Sequence, residues 1–133
     1  MTQHLSGYQE KGWGYEIIWA NNDKYCGKIL SFNTAGSKTS LHFHKERDKT
    51  WFINAGQFKV RFIDTQTTEI KEAILKEGDV FQVPALQPHQ LEALTNGAMI
   101  FEVSTTYTVE DNYRVAAGDS QVNKVEQNGK SDV

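Results

Sequence analysis

Apolar and polar residues alternate along much of this chain with a period of two. The clearest case is residues 58–62, FKVRF, in which apolar side chains occupy every second position. Because successive side chains of a β-strand point to opposite faces, this alternation indicates a strand with one buried face. Comparable segments, rich in β-branched and aromatic residues, recur between residues 15 and 103. About nine or ten short antiparallel strands are therefore predicted, as in an all-β sandwich or barrel.

Turn-forming residues separate the predicted strands. Clusters of Asn, Asp and Gly occur at residues 21–23, 33–36, 54–56, 78–79 and 96–97. Residues 67–76, TTEIKEAILK, contain good helix formers, and local propensity alone favours a short helix there. They lie between strand-like segments in a chain without any other helical pattern. We therefore predict a strand for this stretch as well.

The two ends of the chain lack the alternating pattern. Residues 1–12 are polar and are predicted to form a flexible N-terminal segment. Residues 13–115 carry the pattern and are long enough to bury one core, which predicts a single β-barrel domain. Residues 116–133 contain no aromatic residue and only scattered valines, so we expect a polar, disordered tail or a strand-exchanging arm.

Composition and charge narrow the classes of function. The chain has 133 residues, 14 basic and 17 acidic, and a formal net charge of -3. A nucleic-acid-binding surface normally needs a basic stripe, so no nucleic acid is expected as a partner. No apolar run is long enough for a membrane span, and the start shows no charged-then-apolar export signal. With Cys26 as the single cysteine, a cytoplasmic location is the expectation.

Candidate chemistry centres on His42 and His44, which flank Phe43. At positions i and i+2 of a strand, both rings stand on one face, about 6.6 Å apart along the strand axis. Neutral imidazole is the commonest protein ligand for metal ions. His89 follows a proline-containing turn and offers a third ring. Three imidazoles can hold a divalent ion and leave positions open for water or substrate.

The spacing of these residues resembles the two motifs of the cupin family. The first is Gly, five residues, His-x-His, four residues, Glu, six residues and Gly; its positions here are Gly36, His42, His44, Lys49 and Gly56. The second is Gly, five residues, Pro-x-Gly, two residues and His; its positions here are Gly78, Pro84, Leu86 and His89. Two positions depart from the family, since Lys49 replaces the Glu and Leu86 replaces the middle Gly.

This resemblance covers about residues 13–115 and implies a cupin jelly-roll barrel. It also implies a pocket lined by His42, His44 and His89, which would bind a divalent metal such as Zn, Fe, Mn or Ni. The fourth ligand of that set would be the Glu of the first motif. Because this chain has Lys49 there, its metal site departs from the four-ligand pattern.

A narrower resemblance is to the cupin domain of type II mannose-6-phosphate isomerases. It rests on residues 13–16, WGYE, on residues 101–104, FEVS, and on residues 111–114, DNYR. In that group the arginine after the barrel faces the sugar site, so the resemblance implies this role for Arg114. The carboxylate ligand of that group falls on Lys49 and does not carry over. With Arg114, His44 and Lys49 are the candidate catalytic residues, since histidine can move a proton and the two cations can hold an anionic, sugar-derived small molecule as ligand.

Lys49 has three interpretations at this stage. Its side chain could point out of the barrel and leave a three-His metal site. Its ammonium could instead occupy the pocket, disfavour a divalent cation and suit an anionic ligand. A buried lysine could also act as a general base or form a Schiff base. Asp48, next to it, could serve as a ligand only if a bulge reversed the alternation of the strand.

Three functions remain as hypotheses. The first is isomerase or epimerase activity on a sugar phosphate or nucleotide-linked sugar, with histidine moving a proton next to a carbonyl. The second is a three-His non-haem iron dioxygenase, which needs no carboxylate ligand. The third is a non-catalytic sugar-binding or sensor protein. A homodimer is expected in each case, because an exchanged N-terminal strand can cover the edge strands of an open barrel.

Overall fold

The computed structural model describes residues 4–122 and contains two antiparallel sheets. In chain order the elements are β1 Gly7–Lys11, β2 Gly14–Asn21, β3 Cys26–Phe32, β4 Leu41–Phe43, β5 Lys49–Ala55, β6 Gln57–Ile63, β7 Ile70–Lys76, β8 Val80–Val83, β9 His89–Ala93, β10 Ala98–Ser104, β11 Tyr113–Ala116 and α1 Asp119–Val122. The six-stranded sheet has the order β1-β2-β3-β10-β5-β8, and the five-stranded sheet has the order β11-β4-β9-β6-β7. The prediction of an all-β fold of short antiparallel strands is confirmed.

The inward faces of the two sheets enclose one main apolar core. Trp13 stacks on Phe32 with ring centroids 4.3 Å apart, and Phe32 meets Phe58 edge-on at 5.0 Å. Phe58 and Val60 are fully buried, as the alternation in residues 58–62 predicts. This core fills one end of the sandwich. The inward residues near the start of β5 and the end of β10 are charged and belong to the candidate site.

The strand predicted for residues 67–76 is present as β7, which pairs with β6 along its whole length. β7 is the edge strand of its sheet, and Leu75 is its one buried side chain. Its charged helix formers, Lys71, Glu72 and Lys76, face solvent, whereas Ala73 and Leu75 pack toward the core. Pairing with β6 outweighs the intrinsic helical propensity of this segment.

The predicted flexible N-terminal segment, residues 1–12, is wrong for residues 7–11. These residues form β1, which pairs with β2 in register from Gly7 opposite Ile18 to Lys11 opposite Gly14. Backbone hydrogen bonds hold this strand, so it needs no alternation of apolar residues. The first three residues lie outside the described part of the chain.

The predicted disordered tail, residues 116–133, is wrong for residues 116–122. The chain continues from β11 into α1, where the backbone N–H of Gly12 donates to Ser120 Oγ at 3.0 Å. Lys38 N–H donates to the carboxylate of Asp119 at 2.9 Å. A Cβ on Gly118 would overlap the backbone of Thr39, so only glycine allows this close approach. Residues 123–133 lie outside the described range.

Among residues 4–122, no helix is long and apolar enough to cross a membrane.

Candidate functional site: three histidines and a buried lysine

The structure brings His42, His44 and His89 together. His42 in β4 lies directly opposite His89, the first residue of β9, and His44 follows two residues later on the same face. The ring centroids are 4.5 Å apart for His42 and His89, 5.0 Å for His42 and His44, and 5.7 Å for His44 and His89. All three residues are at most 3% exposed, and one ring nitrogen from each lies within 4.8 Å of the others.

Backbone carbonyls fix the orientation of all three rings. The Nδ1 atom of each histidine donates to a backbone oxygen, namely those of Ser40 at 2.8 Å, Asp111 at 2.7 Å and Gln87 at 2.8 Å. A neutral imidazole that donates from Nδ1 carries its lone pair on Nε2. This arrangement is the usual support for histidines that bind a metal or accept a proton.

Lys49 lies inside the same pocket. It is the first residue of β5. Side chains alternate between the two faces of a strand, so Lys49 faces inward on the same side as Trp51 and Ile53. Its Nζ lies 3.3 Å from His44 Nε2 and 3.8 Å from Glu102 Oε1, and the residue is 4% exposed. The interpretation in which Lys49 points out of the barrel is therefore wrong. The ammonium occupies the pocket and donates toward His44.

Asp48 does not share the pocket, so its interpretation as a ligand is also wrong. Its carboxylate accepts from the backbone N–H of Ala85 at 2.6 Å, and its own N–H donates to Thr105 Oγ1 at 3.1 Å. No bulge reverses the alternation at this position. The Asp48 carboxylate instead fixes the turn that precedes β9.

Glu102, which sequence reasoning passed over, is the carboxylate at the centre of the buried charges. Its two oxygens accept from Arg47 Nη2 at 3.0 Å and from Trp51 Nε1 at 2.9 Å. Burial alone would raise the pKa of this carboxyl, but the cations around it, Lys49 first among them, outweigh burial and lower the pKa from 4.5 to about 2. The alternation along β10 could have predicted that Glu102 faces inward, because it lies on the same face as the buried residues Ala98 and Ile100.

A second buried ion pair extends this cluster. Lys28 Nζ lies 3.3 Å from Glu16 Oε2, and both side chains are at most 2% exposed. The ring of Tyr107 covers them, with Lys28 Nζ 3.6 Å from its centroid. Between this pair and the histidines lies a cavity of about 10 Å³, the space of about one water molecule. A larger ligand reaches the histidines only when the surrounding side chains move apart.

Burial keeps the histidines neutral. For both His44 and His89, burial is the largest cause of a pKa held well below the ordinary value, and the ammonium of Lys49 is the second. Both imidazoles are therefore unprotonated at neutral pH. The Nε2 lone pair of His44 accepts from Lys49, whereas among the described residues nothing donates to Nε2 of His89.

Arg114 lies on β11, in register opposite His42 across the β4–β11 ladder. Its side chain is exposed, so the structure places it at the rim and not among the buried histidines. The resemblance implied that this arginine faces a sugar. That role stays a prediction.

The three histidines favour a metal ion in this pocket, whereas Lys49 opposes one. The three-His group can hold a divalent ion, with the Nε2 atoms of His42, His44 and His89 as ligands. The Lys49 ammonium opposes it, since a unit charge about 4 Å from a divalent ion repels it by on the order of 8 kcal/mol at an effective dielectric constant of 20. Glu102 offsets part of this repulsion. The three-His group thus makes a divalent ion possible at this site, and the buried ammonium weakens its binding.

Comparison with known proteins identifies the family. Residues 29–106 match the family model of the cupin domain. No curated protein matches the sequence. Among solved structures, KdgF from Halomonas sp. is 19% identical with a TM-score of 0.62, over 72% of this chain and 81% of that protein.

Two longer proteins share the fold over 86% of this chain. Oxalate decarboxylase from Bacillus subtilis, a protein with Mn(II) centres, is 19% identical with a TM-score of 0.69 over 33% of its length. The capsular polysaccharide assembling protein CapF from Staphylococcus aureus is 16% identical with a TM-score of 0.71 over 34% of its length. This chain thus spans about a third of either protein. At such identities the likeness shows the fold. The match over residues 29–106 and the jelly-roll arrangement of the two sheets place the chain in the cupin family.

Proposed function

We propose that this cupin is an isomerase or epimerase that moves a proton next to the carbonyl of an anionic, sugar-derived molecule. The observation that carries the proposal is the 3.3 Å contact between Lys49 Nζ and His44 Nε2. It fixes a buried cation in the cavity that the neutral imidazole of His89 also lines. Proton transfer next to a carbonyl needs both, a base for the C–H proton and a positive group at the oxygen.

The roles follow from the surroundings of each group. Among the described residues, Nε2 of His89 has no hydrogen-bond partner, so its lone pair can take the proton. As the C–H bond breaks, its electrons form the enediolate and the negative charge gathers on the carbonyl oxygen. Lys49 donates a proton to that oxygen, and His44, its hydrogen-bond partner, holds the ammonium in place. The sugar is isomerised when His89 gives its proton to the former carbonyl carbon and the hydroxyl of the adjacent carbon gives its proton to Lys49, which restores both groups. It is epimerised when the original carbon takes the proton on its opposite face and the former carbonyl oxygen gives its proton back to Lys49.

Charge supports an anionic ligand. Lys49 and Arg47 place two cations around the carboxylate of Glu102. Arg114 at the rim would hold a phosphate or carboxylate group of the ligand, as the resemblance to type II mannose-6-phosphate isomerases implies. The name of CapF links one protein of the same fold to a capsular polysaccharide. These points favour a sugar-related ligand over an apolar one.

Hydrogen exchange from solvent tests the proposal. In D₂O, we expect the wild-type protein to incorporate deuterium at C2 of mannose 6-phosphate or at C1 of fructose 6-phosphate, followed by NMR. Since a general acid or base contributes about 10²–10⁴-fold, Lys49→Met and His89→Gln should each slow the exchange at least ~100-fold. Arg114→Met should raise KM more than it lowers kcat. Glu72→Gln, on the outer face of the five-stranded sheet, is the control and should leave the rate unchanged.

Other outcomes would favour the remaining hypotheses. Binding of sugar phosphates without exchange would contradict the proposal and support a non-catalytic sugar-binding protein. Stoichiometric iron with oxygen uptake would contradict it in favour of a three-His dioxygenase. Exchange that is unaffected by Lys49→Met would exclude the assigned role of the ammonium.

A further inference from the structure

Leu86 has a backbone conformation that is strained for a leucine. Its φ is 70°, and within the described residues Thr68 is the other non-glycine residue with a positive φ. Leu86 is the third residue of a turn that the hydrogen bond from Gln87 N–H to the Pro84 oxygen closes at 3.3 Å. A positive φ at this turn position normally requires glycine, because a Cβ there crowds the backbone. The leucine therefore carries strain that a glycine would remove.

Hydrogen bonds hold this turn against two histidines of the pocket. Leu86 N–H donates to the backbone oxygen of His44 at 2.6 Å, and the backbone oxygen of Gln87 accepts from His89 Nδ1 at 2.8 Å. The Leu86 side chain is 59% exposed, so burial in the core does not offset its strain. A large apolar side chain thus projects from the surface beside His44, on a turn whose position is fixed. Strain of this kind is characteristic of sites that bind a ligand.

A ligand enters the pocket from the end of the barrel that carries this turn. His44 follows β4, Lys49 begins β5 and His89 begins β9, so all three lie at one end. The apolar core around Trp13 and Phe32 fills the opposite end. The cavity beside the histidines has the volume of about one water molecule, so most of a sugar-derived ligand must lie outside it, against the loops of this end.

We propose that Leu86 forms an apolar wall at the entrance of the histidine pocket and contacts the C–H groups of a ligand bound there. A sugar ring presents C–H groups as well as hydroxyls, and a leucine side chain can pack against the C–H groups. Because the turn is already fixed, Leu86 loses little freedom when a ligand binds. The class of ligand is that of the proposed function, on which this contact rests, whereas the place of Leu86 at the entrance does not depend on it.

Replacing Leu86 with glycine is expected to raise the Kd for mannose 6-phosphate at least ~10-fold in calorimetric titration, because the apolar contact is lost. In the exchange reaction, KM should rise more than kcat falls, since Leu86 touches no transferred proton. Thr68→Gly is the matched control, because Thr68 has a φ of 63° in the hairpin between β6 and β7 and should leave the Kd unchanged. Neither variant should lower the urea midpoint, since glycine adopts a positive φ without strain.

Modification of His89 by diethyl pyrocarbonate, mapped by mass spectrometry, tests the place of Leu86 without any sugar. We expect Leu86→Gly to speed this modification several-fold and Leu86→Phe to slow it. A more flexible turn in the glycine variant would not explain the slower reaction of the phenylalanine variant. His4, which pairs with Asp23, is the internal reference and should react at one rate in all three proteins.

Equal rates of His89 modification in the wild type, Leu86→Gly and Leu86→Phe would overturn the inference and leave the proposed isomerase intact. An unchanged Kd in Leu86→Gly, for a sugar phosphate that the wild type binds, would overturn the contact with the ligand. Faster modification in Leu86→Gly and slower modification in Leu86→Phe, with a wild type that binds no sugar phosphate, would support the entrance and contradict the proposed function.

Discussion

Replacing Lys49 with glutamate is expected to raise the affinity for Mn²⁺ by at least ~100-fold, equivalent to about 2.7 kcal/mol. The substitution removes the ammonium that lies 3.3 Å from His44 Nε2 and supplies a carboxylate in its place. Three imidazole nitrogens and one carboxylate oxygen then face the same cavity. Glu102 keeps its bonds to Arg47 and Trp51, which limits repulsion between the two carboxylates.

Calorimetric titration of the wild type and the variants with Mn²⁺ measures this effect. Lys49→Met separates the two contributions, because it removes the positive charge without adding a ligand. We expect its affinity to lie between those of the wild type and Lys49→Glu. Equal affinities for the wild type and Lys49→Glu would mean that residue 49 does not act on the histidine pocket.

Replacing Glu102 with glutamine is expected to lower the free energy of unfolding by about 3–5 kcal/mol at pH 7. Glutamine keeps the size of the side chain and can still accept from Trp51. The buried cations of Arg47 and Lys49, however, lose their common counter-ion. Urea denaturation of both proteins measures the difference. Glu72→Gln is the matched control, because it breaks a partly exposed ion pair and should cost about 0–1 kcal/mol.

The effect of Glu102→Gln should also depend on pH. The pKa of Glu102 is lowered from 4.5 to about 2 in the folded protein. The carboxylate therefore stabilises the fold fully above about pH 4.5, and this contribution is lost as the pH falls toward 2. The gap between the wild type and the variant should narrow over that range. A gap that stays constant from pH 7 to pH 3 would contradict an ionised, buried Glu102.

Much of the fold could be predicted because local patterns determine it. The two-residue alternation predicted the strands from β2 to β10, and the turn residues separated them, whereas β11 lies beyond the alternating segments. β1 and α1 could not be found this way, because β1 depends on backbone pairing with β2 and α1 on contacts to Gly12 and Lys38. Both involve partners that no local pattern reveals. Sequence spacing alone does not show where such segments dock.

The site was only partly predictable, because the sequence motifs include the histidines but not their buried charged partners. Motif spacing placed the three histidines, whose register across β4 and β9 is fixed by the barrel. Charged residues are normally interpreted as surface, so the buried partners Glu102, Arg47 and Lys28 were passed over. The alternation of inward and outward side chains along β10 and β3 would have predicted that Glu102 and Lys28 face inward. Arg47 lies in the turn before β5, where no period applies, and only the three-dimensional structure shows its contact with Glu102.

The position of the Lys49 ammonium is the central claim, and NMR of the ¹⁵N-labelled lysine side chains tests it most directly. A buried ammonium that donates to His44 exchanges slowly with water. We predict a protected Lys49 signal at pH 7, with a nuclear Overhauser effect to the His44 ring proton between the two nitrogens, and we expect both to disappear in Lys49→Met. Exposed Lys24 is the internal reference for fast exchange. A Lys49 signal that exchanges as fast as Lys24, without contact to His44, would contradict the account.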